Sequence, residues 1–173
     1  MHKSVVFVSG GARSGKTRYA LARAESWPGS LLYIATAEIR DEEMRRRIER
    51  HRAERGARWE TAETPLDPAG AVDGAAGRGA VLLDCLTLWT SNLLERHGED
   101  DGAILAAADH LAAALRHAPA PVVVVTNEVG WGIVPENALA RRFRDLAGSV
   151  NQRVAAAADE AVLVVSGLPL RVR

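Results

Sequence analysis

The stretch "SVVFVSGGARSGKTRYALA" (residues 4–22) constrains the fold more than any other. A run of β-branched and aromatic residues ends in glycines, and a polar turn then opens a helical segment. Gly10 is followed by four residues and then by Gly15, Lys16 and Thr17. That is the G-x-x-x-x-G-K-[S/T] spacing in the context it requires, after a strand and before a helix. Glycines let the backbone curl so that successive N–H groups converge on phosphate oxygens, and the next helix N-terminus adds partial positive charge. On this reading Gly10, Gly11, Ala12, Arg13, Ser14, Gly15, Lys16 and Thr17 wrap the phosphates of a nucleoside triphosphate. The Lys16 ammonium reaches the β- and γ-phosphates, and the Thr17 hydroxyl ligates Mg²⁺.

Further apolar runs follow the first: "LLYIA" (31–35), "AVLLD" (80–84), "PVVVVT" (121–126) and "AVLVVS" (161–166). Their hydrophobicity is continuous rather than alternating, as expected of parallel strands covered on both faces. Helical stretches lie between them, most clearly over 136–158, where Leu139, Phe143, Leu146, Val150 and Val154 form an apolar stripe. The order predicts an α/β protein: an open, mostly parallel sheet of the P-loop NTPase (RecA-like) kind, helices on both faces. Gly167 and Pro169 in "GLPLRVR" predict a turn and a short antiparallel hairpin at the end of the sheet. Segment 64–79 reads as a loop with a marginal helix, and "GEDDG" (98–102) as an exposed turn. With 173 residues the chain is expected to form a single domain over 1–173.

Asp84 ends the buried run "AVLLD". A carboxylate there is placed to hold Mg²⁺ opposite the phosphate loop, and it could at the same time cap the helix that follows. Cys85 lies beside it in an apolar setting and reads as packing. As the only cysteine, it excludes an internal disulfide and a multi-cysteine zinc site. Lysine plus arginine equal aspartate plus glutamate at 22 each, so no global basic field argues for nucleic acid. No apolar run is long enough to span a membrane, and the N-terminal run is too short for a secretory signal. A soluble, cytoplasmic protein is expected. The guanine-reading Asn-Lys-x-Asp segment of GTPase switches is absent from "TNEVGWGIVPEN" (126–137). What remains is a transferase.

The choice among transferases turns on "DEEMRRRIERHRAER" (41–55). Met44, Ile48, His51 and Arg55 are spaced four, three and four apart. At about 100° per residue they share one helix face. His51 therefore continues the docking stripe, either as a packed histidine or as a functional one. His2, His97, His110 and His117 lie near the terminus or on helix surfaces and suggest no role.

"SGGARSGKTRYA", "YIATAE", "RIERHRAER", "WETAE", "LLDCLTLW", "VTNEVGWGIVPEN", "FRDLAGSVNQRVAAAADE" and "VVSGLP" occur in that order along the chain. Together they resemble the bifunctional adenosylcobinamide kinase / adenosylcobinamide-phosphate guanylyltransferase family of cobalamin biosynthesis, over residues 4–168. One departure is "LTLWTSN" (86–92), where the family often reads "LTLWLTN".

The resemblance implies two reactions: phosphorylation of the aminopropanol hydroxyl of adenosylcobinamide by ATP or GTP, then transfer of GMP from GTP onto that phosphate. It implies that His51 becomes covalently guanylylated and that Lys16 serves the phosphoryl transfer. It also implies nucleotide contacts at Thr36, Ala37, Glu38, Arg52, Ala53, Glu54, Arg55, Glu63 and Asp84, and a homotrimer with sites near subunit boundaries. Read without it, Thr36 and Glu38 are an ordinary capping box, and Glu63 is a solvated strand-end carboxylate. Trp131 in "GWGIVP" reads as a hydrophobic staple, a wall for the corrinoid or a subunit contact. The chemistry agrees with a histidine nucleophile, since imidazole, with a reference pKa of about 6.5, is mostly neutral at pH 7.

Overall fold

The computed structural model describes residues 4–39, 41–53 and 55–173; the side chains of residues 43, 44, 47, 48, 50 and 51 lie outside the described set. The phosphate-loop strand β1 (Val5–Gly10) leads into α1 (Lys16–Glu25), then β2 (Leu31–Ala35) and α2 (Glu42–Ala53). Next come β3 (Trp59–Glu63), α3 (Pro68–Asp73), β4 (Ala80–Asp84), α4 (Leu86–His97) and α5 (Asp101–Arg116). The chain ends with β5 (Val122–Val125), a 3-10 turn (Val129–Trp131), α6 (Ala138–Ala155), β6 (Glu160–Val165) and β7 (Leu168–Arg171).

These strands form one seven-stranded sheet in the order β3-β2-β4-β5-β1-β6-β7. The ladders among β1 to β6 are parallel, and β7 returns antiparallel to β6. Strand β5 lies between the phosphate-loop strand and the Asp84 strand, the arrangement expected of a RecA-like P-loop sheet.

Alternation along the strands separates two apolar faces. Val5, Phe7, Ile34, Leu83 and Val124 pack with Trp89, Ile104, Leu111, Leu146 and Val150 from α4, α5 and α6. Val6, Val8, Tyr33, Leu82 and Val123 face the other way and pack with Ala20 and Ala24 of α1. Burial on both sides is why the strand sequences show no alternation.

Strand β3 lies at an edge and pairs only with β2. It is half-exposed along its length, so it needs no continuous apolar run and can carry Glu60 and Glu63. The α6 stripe departs from expectation at one end. Leu146, Val150 and Val154 are buried, but Leu139 in the first turn is 59% exposed, next in sequence to a loop with exposed Ile133 and Val134. The marginal helix within 64–79 is α3, capped by Asp67, whose carboxylate accepts from the Gly70 N–H at 3.0 Å.

Truncating a fully buried residue of the central strands removes apolar contact on a face that cannot collapse. Leu83→Ala should cost about 2–5 kcal/mol, read as a lower denaturant midpoint at unchanged slope. A loss below about 1 kcal/mol would contradict this account of the core.

Candidate active site

The carboxyl ends of the parallel strands gather the motifs on one edge of the sheet, where open α/β sheets bind ligands. The loop between β1 and α1 is tightly built. A Cβ on Gly10 would come within 2.6 Å of the Val164 carbonyl oxygen, so no side chain fits there. Gly15 takes φ +92° at the N-cap of α1 and offers no side-chain cap, so it satisfies none of the first amides of the helix. Lys16 Nζ donates to the Gly11 carbonyl at 3.0 Å, folding the ammonium back over the loop. The Gly167 N–H, in the β6–β7 turn, donates to the Ser14 carbonyl at 2.7 Å, so the C-terminal hairpin braces the loop. After β5, the Glu128 N–H donates to the Gly10 carbonyl at 3.2 Å and props the other side. Among the described residues the buried Ser14 hydroxyl oxygen has no hydrogen-bond partner. A buried donor left over in a loop of converging amides is what a bound phosphate would satisfy.

On the same edge of the sheet a cavity of about 320 Å³ lies above β2, β3 and β4, and no phosphate-loop residue lines it. Ala37, Glu38, Arg52, Arg55, Glu63 and Asp84 line it, together with Tyr33 and Thr61. Asp84 Oδ2 accepts from the Tyr33 hydroxyl at 2.8 Å. The N-cap of α4 is Cys85 with no side-chain cap, so Asp84 is not capping that helix. Arg55 lays its guanidinium carbon 3.8 Å from the Tyr33 ring centroid and donates from Nη2 to Thr61 Oγ1 at 3.3 Å. Arg52 pairs with Glu63, both substantially exposed. Such a pair is worth at most about 1 kcal/mol, so a phosphate can displace the carboxylate.

Burial, and then the Asp84 charge, push the Tyr33 phenol far above its ordinary value, so it stays a donor. Burial draws Arg55 below its ordinary value. Burial also raises the Cys85 thiol to about 11, with the Asp84 charge adding to it, so Cys85 holds no thiolate at neutral pH.

Thr36 is placed differently from its neighbours in "YIATAE". It is fully buried and does not line the cavity. Its hydroxyl donates to the Cys85 carbonyl and accepts from the Cys85 N–H, both at 2.8 Å. Thr36 stands six residues before the start of α2 at Glu42, and its hydroxyl serves the β2–β4 junction instead. Ala53 is exposed at the end of α2 and stands outside the cavity lining. Glu54 and the His51 side chain lie outside the described residues. The motifs do not point to Tyr33, Thr61 or Asn92. Asn92 Nδ2 donates to the carbonyls of Thr36 and Pro65 at 2.8 and 3.0 Å, tying together the segments that leave β2 and β3. The available signal for Tyr33 was its position two residues before Ala35, on the same strand face, with a polar tip inside an apolar run.

Thr17 and Asp84 contribute oxygen atoms, the donor type that Mg²⁺ prefers. Among the described residues no group of three or more His, Cys, Asp or Glu could hold a metal. The residues present thus fit an ion held jointly with nucleotide phosphates rather than in a protein cage.

The family model described as cobinamide kinase / cobinamide phosphate guanyltransferase matches residues 6–172. The bifunctional adenosylcobalamin biosynthesis protein CobU of Salmonella typhimurium is 50% identical, with 98% of this chain and 99% of that one covered. CobU of Escherichia coli is 46% identical over the same shares. The bifunctional adenosylcobalamin biosynthesis protein CobP of Pseudomonas aeruginosa is 42% identical over 94% of each chain. Among solved structures, the P4 protein from bacteriophage phi6 in complex with ADP aligns with a TM-score of 0.49 at 20% identity. That alignment covers 96% of this chain and 54% of the phage protein. The chain belongs to the cobinamide kinase / cobinamide phosphate guanyltransferase family, and it is a bifunctional kinase and guanylyltransferase of cobalamin synthesis.

Proposed function

We propose that one site at the carboxyl edge of the sheet carries out both transfers. In the first, ATP or GTP phosphorylates the aminopropanol hydroxyl of adenosylcobinamide. In the second, GMP passes from GTP to that phosphate through a guanylyl-histidine at His51, giving adenosylcobinamide-GDP. The observation that carries this reading is the cavity in which Arg52 and Arg55, close to His51 in sequence, lie beside Asp84. Its volume of about 320 Å³ suits a nucleotide-sized group. A corrin macrocycle is larger and would rest outside.

The roles follow from the chemistry. Gly10 through Thr17 hold the phosphates, and Lys16 draws charge from the bridging and terminal oxygens as the γ-phosphoryl leaves. Thr17 and Asp84 would hold Mg²⁺, which supplies Lewis-acid neutralisation of phosphate charge. In the second reaction a neutral imidazole nitrogen of His51 attacks the α-phosphorus of GTP. A phosphorus–nitrogen bond forms, the α–β bridging bond breaks, and pyrophosphate departs with the electron pair. The acceptor phosphate then attacks the same phosphorus and releases the imidazole. Arg52 and Arg55 can fork onto phosphate oxygens and stabilise the charge that develops. Ala37, Glu38 and Glu63 complete the nucleotide wall, with Ala53 and Glu54 continuing the segment after the nucleophile and Thr36 supporting it from below.

We read the working form as a cytoplasmic homotrimer drawing on the ATP and GTP pools. Exposed Trp131, Ile133 and Val134 after β5, and Leu168, Leu170 and Val172 along the last strand, support apolar contacts between copies. No described helix is long and apolar enough to cross a membrane.

Lys16→Ala should lower the kinase rate by about 10²–10³-fold; undiminished phosphoryl transfer in that variant would overturn the phosphate-loop assignment. The covalent step is tested with GTP labelled at the α-phosphate. Wild-type protein should retain an acid-labile, base-stable label after denaturation. His51→Ala should lose both the label and guanylyl transfer while largely keeping the kinase. Label that survives in His51→Ala would move the nucleophile elsewhere, and no label on wild type would leave a kinase without a covalent intermediate.

A further inference from the structure

Tyr33 opens the "YIATAE" segment without a role of its own there, yet it touches both halves of the site. It is 6% exposed on β2, level with Thr61 of β3 on one side and Leu82 of β4 on the other. Phenylalanine would fill such a core position without a polar atom to satisfy. The Tyr33 hydroxyl is instead spent on Asp84 Oδ2 at 2.8 Å, a hydrogen bond strengthened by the carboxylate charge. The ring is held as firmly as the hydroxyl. Trp59 meets it edge-on, with centroids 6.2 Å apart and planes at 78°. Trp59 is itself anchored by its Nε1–H donating to Glu25 Oε1 at 2.9 Å. The Arg55 guanidinium lies over the ring, 3.8 Å from the centroid.

We propose that Tyr33 is a positioning residue for both transfers: its hydroxyl orients the Asp84 carboxylate and its ring seats the Arg55 guanidinium. One rigid side chain thereby fixes the spacing between the group that holds the cation and a group that holds phosphate. The inference rests on the reading of Asp84 and Arg55 given above. Partners that orient a metal-holding carboxylate govern metal affinity although they never touch the ion. An arginine stacked on an aromatic face keeps its plane while its N–H groups remain free to fork onto phosphate.

The two contacts can be removed one at a time in the full-length enzyme. Mn²⁺, followed by the loss of its free-ion paramagnetic resonance, reports cation binding to enzyme holding GDP; the KM for GTP in guanylyl transfer reports the Arg55 half. Tyr33→Phe, which keeps the ring, should weaken Mn²⁺ binding about tenfold and, because the ion is shared with the nucleotide, raise the KM for GTP by no more than that factor. Tyr33→Leu should show the same Mn²⁺ defect and raise that KM about fivefold beyond the Phe variant. Arg55→Lys, which keeps the charge without the planar stack, should raise the KM alike and serves if Tyr33→Leu does not fold. In an Asp84→Asn background, Tyr33→Phe should weaken Mn²⁺ binding no further, whereas a merely structural role would add its effect again. Wild-type Mn²⁺ affinity in Tyr33→Phe, or full additivity with Asp84→Asn, would overturn the orienting role. A wild-type KM for GTP in Arg55→Lys, or equal KM values in the Phe and Leu variants, would overturn the seat. Wild-type Mn²⁺ affinity in Asp84→Asn alone would instead withdraw the reading of Asp84 on which the inference stands.

Discussion

Everything at the site depends on the parallel register of four strands. Ala35 of β2 stands level with Asp84 of β4, Asp84 with Val125 of β5, and Val125 with Val8 of β1. The first phosphate-loop glycine, Gly10, is therefore two residues beyond the level of Asp84, and the chain leaves each strand at nearly the same height. Side chains alternate between faces. A slip of one residue in β4 would turn Asp84 away from Tyr33 and toward the α4–α6 face. Continuous burial on both faces is what pins that register.

The charges around the cavity are arranged with unequal freedom. Arg52 and Glu63 form an exposed pair that contributes little and can be exchanged for a ligand oxygen. Arg55 is half-buried, stacked and hydrogen-bonded, and its position is settled before any substrate arrives. Asp84 is held the same way by Tyr33. Prepositioned charge costs no reorganisation when phosphate charge develops, which is where electrostatic stabilisation is most effective. The phosphate loop is braced similarly, from the β6–β7 turn at Ser14 and from Glu128 at Gly10.

The strands and the phosphate loop were legible in the sequence because burial on both faces leaves an unbroken apolar run, and because converging amides demand glycine at fixed spacing. Asp84 was legible as the polar end of such a run. Strand β3 was not among those runs, since an edge strand with one neighbour carries glutamates at no cost. Tyr33 was hidden by its surroundings: an aromatic in a buried strand reads as core until its hydroxyl is seen on a carboxylate. Thr36 sat in the right motif, but its hydroxyl serves the backbone of Cys85. The ordered motifs resemble the same family that the comparison over residues 6–172 shows. The helix-face alignment of Met44, Ile48 and His51 lies outside the described side chains.

In the proposed mechanism one site serves both transfers in turn. Guanylyl-enzyme freed of GTP can be mixed with adenosylcobinamide and ATP labelled at the γ-phosphate, and the appearance of labelled adenosylcobinamide phosphate followed within one turnover. A shared site predicts that phosphorylation is held back while GMP remains on the protein and recovers at the rate at which GMP leaves. Phosphorylation at the full rate of the unmodified enzyme, with GMP still attached, would show two independent sites and contradict the account.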